Sequence, residues 1–313
     1  MPELMQRTPV GIRAWAASVL LGGGILLLGG CELLRADLPT EPAARSSQIA
    51  DPAPLPPATT PTPLPGKQAT RRGNCVFYHD SAFDPADPLF AELEALPDQV
   101  YGELRLPPAN TVIQVFLFDS QDRYERYMFA PKTGRYRHLP SRRAYFIAEP
   151  RIGGLGDDLK VFTWVGDHLR TDLRHELTHA LLHAVLKDVP LWLDEGLAGF
   201  FELPPAHEGV NLQHLEMLRR GPFQPDLARL EKLDQVKQME KPEYREAWAW
   251  VHLLLRGDPA LRVVLHEYLQ ALRTTATPGS LWARLQEVHP DPNQLLLEHL
   301  KTIDLPRTRS RLK

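Results

Sequence analysis

Only two cysteines, Cys31 and Cys75, occur in 313 residues, which excludes a disulfide framework as the source of stability. Charge of neither sign dominates: the net charge is −3 and the pI near 6.5, so the chain has no basic footprint for nucleic acid. It has no glycine-rich phosphate loop either, which leaves nucleotide chemistry without support. Nor does it contain a charge-free apolar run of the ~20 residues that a comfortable membrane span requires. What it has in excess is proline, 30 residues, many crowded into one segment. The 43% hydrophobic content suffices for the core of one domain with accessory segments.

The first 30 residues read as an export signal: Arg7 and Arg13 supply positive charge, and residues 14–28 are apolar apart from small residues. Leu28-Gly29-Gly30-Cys31 resembles a bacterial lipobox. The resemblance implies cleavage before Cys31, acylation of that cysteine and a lipid anchor in the membrane. Glu32 then favours the outer membrane, with the domain facing the periplasm or surface. Residues 36–68 are dense in Pro, Ala and Thr and read as an extended spacer, so residues 31–73 form a lipidated tether. The folded domain is expected over 74–305, followed by a basic tail, 306–313, with Cys75 a lone buried thiol opening a strand.

Within that domain, strand patterns occupy 75–78, 111–118, 144–148 and 160–165. Helical spacing covers 88–104 and a short stretch from Ser120 to Met128. Beyond residue 168 the chain turns helical, with candidates at 168–187, 191–203, 211–220, 242–256, 259–274, 278–288 and 292–302. Strands first and helices afterwards predict an α+β fold, a small mixed or antiparallel sheet followed by a helical half.

The chemistry concentrates in His175-Glu176-Leu177-Thr178-His179. Two histidines four apart project from one helix face and can grip one metal ion, with Glu176 placed to act on a metal-bound water. At ~100° per residue, Leu173, Leu177, Ala180, Leu181 and Ala184 form a core stripe, and His175, Glu176 and His179 lie opposite it, in a cleft. His183 stands ~12 Å along the axis from His175, too far to share one ion with both other histidines, and is expected to hydrogen-bond at the helix end. Glu195 is the better third ligand. Val189-Pro190 breaks the first helix, and a second helix from Leu191 can fold back so that its first turns face the histidines.

The residues His175 to His179 followed by Leu191-Trp192-Leu193-Asp194-Glu195-Gly196-Leu197-Ala198 resemble the gluzincin clan of zinc metallopeptidases. The match is close over residues 160–203 and looser elsewhere. It implies a zincin-like fold in which His175, His179 and Glu195 hold one Zn²⁺ and Glu176 is the general base for attack on a peptide carbonyl. A gluzincin also needs a donor for the oxyanion. Tyr244 is the candidate, a partly buried core tyrosine being the alternative. Asp194 either orients a metal-binding histidine or is a helix N-terminal acid stabilised by the dipole. Some gluzincins carry an acid four residues beyond the ligand glutamate; here that position is Gly199, so the support must be built differently. The clan also suggests that Val161 to Val165 is a sheet edge along which extended substrate lies. The arginines at 135, 137, 142 and 143 read as a solvated loop, with a contact surface for acidic substrate as the alternative.

The expected function is thus a zinc-dependent peptidase of the cell envelope, acting on peptide or protein substrates, bound to the membrane by lipid and using neither nucleic acid nor nucleotide. A non-catalytic, zinc-stabilised envelope binding protein is the competing reading, and hydrolysis of a non-peptide amide, such as a wall cross-link, a third. An intact Glu176 argues against a purely structural site.

Overall fold

The structure is a computed structural model and describes residues 13–15, 61–80, 84, 86–151 and 156–303. Cys31, nearly all of the leader, the tether up to residue 60 and the tail from 306 lie outside the described residues.

Among the described residues six strands, β1 (Arg13–Trp15), β2 (Gln68–Arg72), β3 (Cys75–His79), β4 (Ile113–Phe118), β5 (Tyr145–Pro150) and β6 (Asp157–Trp164), form one mixed sheet in the order β1-β5-β6-β4-β3-β2. β3, β4 and β6 run parallel, and the other pairings are antiparallel. Two-residue alternation fixes which residues face which layer. Ile113, Val115, Phe146, Ala148, Leu159 and Val161 join the main core under the helices, whereas Phe118, Tyr145, Ile147 and Phe162 join an aromatic cluster on the other face with Tyr124, Met128 and Tyr136.

The helices are α1 (Pro88–Leu104), α2 (Gln121–Phe129), α3 (Leu169–His183), α4 (Leu191–Phe201), α5 (Leu212–Arg220), α6 (Leu227–Leu230), α7 (Lys241–Arg256), α8 (Pro259–Leu272), α9 (Leu281–Val288) and α10 (Pro292–Thr302). Their starts follow local chemistry: Asp87, Ser120, Asn211, Asp258, Ser280 and Asp291 accept backbone N–H bonds as N-caps, and prolines occupy the first turns of α1, α7, α8 and α10. The fold is α+β, as expected. Among the described residues no helix is long and apolar enough to cross a membrane.

Two expectations are corrected. The sheet includes residues before Asn74, because Gln68–Arg72 pairs with β3 in a hairpin whose two-residue turn is Gly73-Asn74, with Gly73 at φ +55°. Its sequence lacks apolar alternation because β2 is an edge strand with mostly exposed residues. The strand containing Val161 is not a sheet edge either. β6 lies between β5 and β4, so β5 is the outer strand of the domain, with the three residues of β1 against it. Cys75 does open β3, buried, its thiol pushed up to about 12 by burial.

Candidate metal centre

α3 runs through the middle of the molecule, and residues 172–182 are buried on every side. Its apolar residues join the main core, while Arg174, His175, His179 and His183 meet α4 and the residues at its end. The α3–α4 pairing is antiparallel: Asp194 reaches His183 and His179, Glu195 lies by His179 and His175, and Glu202 reaches His175. Two features hold this register. Arg174, 1% exposed, donates to the carbonyls of Phe201 and Leu203 and so satisfies the C-terminal end of α4. On the opposite side of α4, Gly196 presses on α7, where an added Cβ would stand 2.6 Å from the Ala247 carbonyl oxygen.

His175, His179 and Glu195 converge as a buried group able to hold a metal ion, their ligand atoms all within 4.8 Å of one another. Both histidines turn Nε2 toward Glu195, at 3.4 Å and 3.7 Å from Oε2. Each Nδ1 faces a different carboxylate: Glu202 at 2.9 Å from His175, and Asp194 at 3.0 Å from His179. Asp194 uses its other oxygen on His183 Nε2, also at 3.0 Å. Asp194 is therefore placed against a histidine of the group. His183 is bound at the helix end and stands outside the group.

Electrostatics follow from this packing. Burial alone would lower the pKa of His175, but the carboxylates of Glu195 and Glu202 outweigh it and push it up to about 9. Burial opposes protonation of His179 as well, and Asp194 and Glu195 raise it well above the ordinary value. Against the pull of burial, Asp194 is held below the usual carboxylate range by His179 and His183, and Glu195 by His175 and His179.

Glu176 is not part of the metal-holding group; it is completely buried on α3 beside His175. Tyr244, from the first turn of α7, places its hydroxyl 3.4 Å from Glu195 Oε1, although it also counts among the core residues. Burial and then Glu195 raise its pKa, so the phenol stays protonated. Arg142 donates to the Tyr244 oxygen at 3.1 Å and Arg143 to Asp172 at 2.9 Å. The solvated-loop reading thus fits Arg135, Arg137 and His138, which are exposed, while Arg142 and Arg143 turn inward.

Glu202 was not foreseen. It lies seven residues beyond Glu195, two turns along one helix face, and that spacing was the available signal. It takes up the support that Gly199, four residues beyond Glu195, cannot give. Its second oxygen accepts from Asn211 Nδ2 at 3.1 Å. A cleft opens on His175 and Glu195 from the side of α5 and α7.

No protein-family model matches the chain, and no curated protein matches it.

Proposed function

We propose that the protein is a zinc-dependent peptidase of gluzincin type, held at the cell envelope by a lipid anchor. The observation that carries this reading is the convergence of two imidazole Nε2 atoms on one carboxylate, each ring backed by a carboxylate of its own. Ligand atoms of a tetrahedral zinc site with bonds of ~2.0–2.2 Å stand about 3.3–3.6 Å apart. The 3.4 Å separation here lies in that range and the 3.7 Å separation just above it, with all the ligand atoms within 4.8 Å of one another. Two imidazoles and one carboxylate suit zinc better than magnesium or calcium, which favour all-oxygen sites. Three protein donors beside a cleft also fit a catalytic site better than a closed structural one.

When bound, zinc supplies a Lewis acid with an open position that polarises a carbonyl and acidifies water. The chain's own residues do the rest. Glu176 accepts the proton of the attacking water and passes it to the leaving amine. Tyr244 donates its hydroxyl hydrogen to the carbonyl oxygen as that oxygen gains charge. Arg142 donates to the Tyr244 oxygen, and the Tyr244 hydrogen, directed at Glu195 Oε1 at 3.4 Å, turns to the substrate carbonyl when that is bound. Asp194 and Glu202 fix the ring orientation of His179 and His175. The lipobox-like Cys31 and the proline-rich segment support a tethered location outside the cytoplasm.

The test is a peptide-library digest with the protein as purified, after chelation, and after zinc is restored. Cleavage should vanish and return. Cleavage that survives complete metal removal, or zinc-loaded protein that cleaves nothing, overturns the proposal.

A further inference from the structure

The cleft beside the metal centre carries charge that the peptidase reading does not use. Lys241 and Arg245 line it, together with Asn211, Gln213 and His214. Among the described residues neither Lys241 nor Arg245 forms an ion pair or a side-chain hydrogen bond. Acids are close by in sequence, yet they are committed elsewhere. Glu240 caps α7, and Glu243 and Glu246 both hold Arg229. Both oxygens of Glu202 are taken, by His175 and Asn211. The first two turns of α7 therefore separate their charges, acids toward Arg229 and cations toward the cleft.

Cations at a helix N-terminus oppose the dipole, so this arrangement costs stability and adds to the positive field in the cleft. Glu195 and Glu202 line the same cleft but are engaged by His175, His179 and Asn211, which leaves Lys241 and Arg245 as the unengaged charges on the wall. His214 adds no cation, because burial first, and then Arg245 and His175, lower its pKa to about 4. Its Nδ1 is buried with no hydrogen-bond partner. The floor is Gly199, where an added Cβ would meet nothing closer than 4.0 Å, so the space there is real. The cavity measures about 50 Å³. That is room for roughly three or four waters, hence for a carboxylate group but not an aromatic ring.

We infer that this cleft is a carboxylate-binding subsite, in which Lys241 and Arg245 receive a carboxylate of the peptide next to the bond being cleaved. Resting on the peptidase reading, this narrows the substrate to peptides with a carboxylate at that position. The carboxylate is either the C-terminal one or that of an Asp or Glu side chain. Arg245 provides a planar fork and Lys241 a point charge, the usual pair for holding such a group.

The test measures equilibrium binding, so it does not depend on turnover. Short labelled peptides are titrated by fluorescence anisotropy against zinc-loaded Glu176→Gln protein. One set pairs free and amidated C-termini, and a second pairs internal Glu with Gln and Asp with Asn. Charge-assisted bonds of this kind predict a loss of about tenfold or more in affinity when the recognised carboxylate is neutralised. Loss on amidation assigns the C-terminal group, and loss on the Glu or Asp exchange assigns the side chain. Lys241→Gln/Arg245→Gln should abolish the discrimination while retaining one metal ion per chain and a melting temperature no lower than that of wild type. If the double variant does not fold, Lys241→Gln alone, at an exposed position, should still reduce it. Equal binding of charged and neutral peptides, discrimination that persists without the two cations, or no binding of any peptide overturns the subsite. Failure of the peptidase reading is distinct, because it shows as zinc-loaded wild type that cleaves nothing in the library.

Discussion

Replacing Glu202 by Gln changes one atom and should disable the support of His175. In the native protein one oxygen faces His175 Nδ1 at 2.9 Å and the other accepts from Asn211 Nδ2 at 3.1 Å. Asn211 cannot turn its amide over, because its Oδ1 accepts the His214 backbone N–H at 3.1 Å as the cap of α5. Glutamine brings only one acceptor to two donors. If it serves Asn211, its NH₂ group faces the histidine and the ring loses its orientation. If it serves His175, two amide donors collide and the α5 cap weakens by ~1 kcal/mol. Loss of such a support lowers metal affinity by about 10–100-fold, or ~1.4–2.7 kcal/mol. Competition against a chromophoric zinc chelator measures the first effect, and urea unfolding of the metal-free protein the second. Wild-type zinc affinity together with unchanged stability in Glu202→Gln would refute the role assigned to this carboxylate.

Three further outcomes follow from the same geometry. Gly196→Ala drives a methyl group to 2.6 Å from the Ala247 carbonyl and 2.8 Å from Val251 Cγ2, so ~2 kcal/mol should be lost and the melting temperature should fall by about 4–8 °C; an unchanged melt by calorimetry rejects the close α4–α7 approach. His183→Gln should still carry one metal ion per chain by elemental analysis, whereas His179→Gln should carry none; loss from the first variant would make His183 a ligand. His252, 3% exposed and 2.9 Å from His299, has its pKa lowered from 6.5 to about 3, by burial first and then by His299. The unfolded chain therefore takes up this proton more readily than the folded one. Stability is lost as pH falls below about 6.5, by ~2 kcal/mol at pH 5 relative to pH 7 from this residue. Urea midpoints across that range, flatter in His252→Phe, check it.

Much of this was legible because the informative patterns are local. The period of the apolar residues and the caps placed most helices within a few residues, and α4 starts at Leu191 as the Val189-Pro190 break requires. The His175, His179 and Glu195 set was readable because helix geometry fixes the first pair and a short connection fixes the third. What escaped depends on contacts distant in sequence or on edges. β2 has no buried face to impose an apolar pattern, so only its Gly73-Asn74 turn announced it. The interior position of β6 follows from strand order, which no single strand encodes. Glu202 needed the antiparallel register of α3 and α4, itself set by Arg174. The inward turn of Arg142 needed Tyr244, more than a hundred residues away in the chain.

The central claim is that His175, His179 and Glu195 hold zinc for a hydrolysis in which Glu176 handles the proton. Glu176→Gln separates binding from chemistry most directly, with zinc content and peptide cleavage measured on the same preparations. The account predicts one zinc per chain in both proteins and a loss of cleavage of at least about 100-fold in the variant. Equal cleavage by both proteins, or wild type purified with no affinity for zinc, would contradict it.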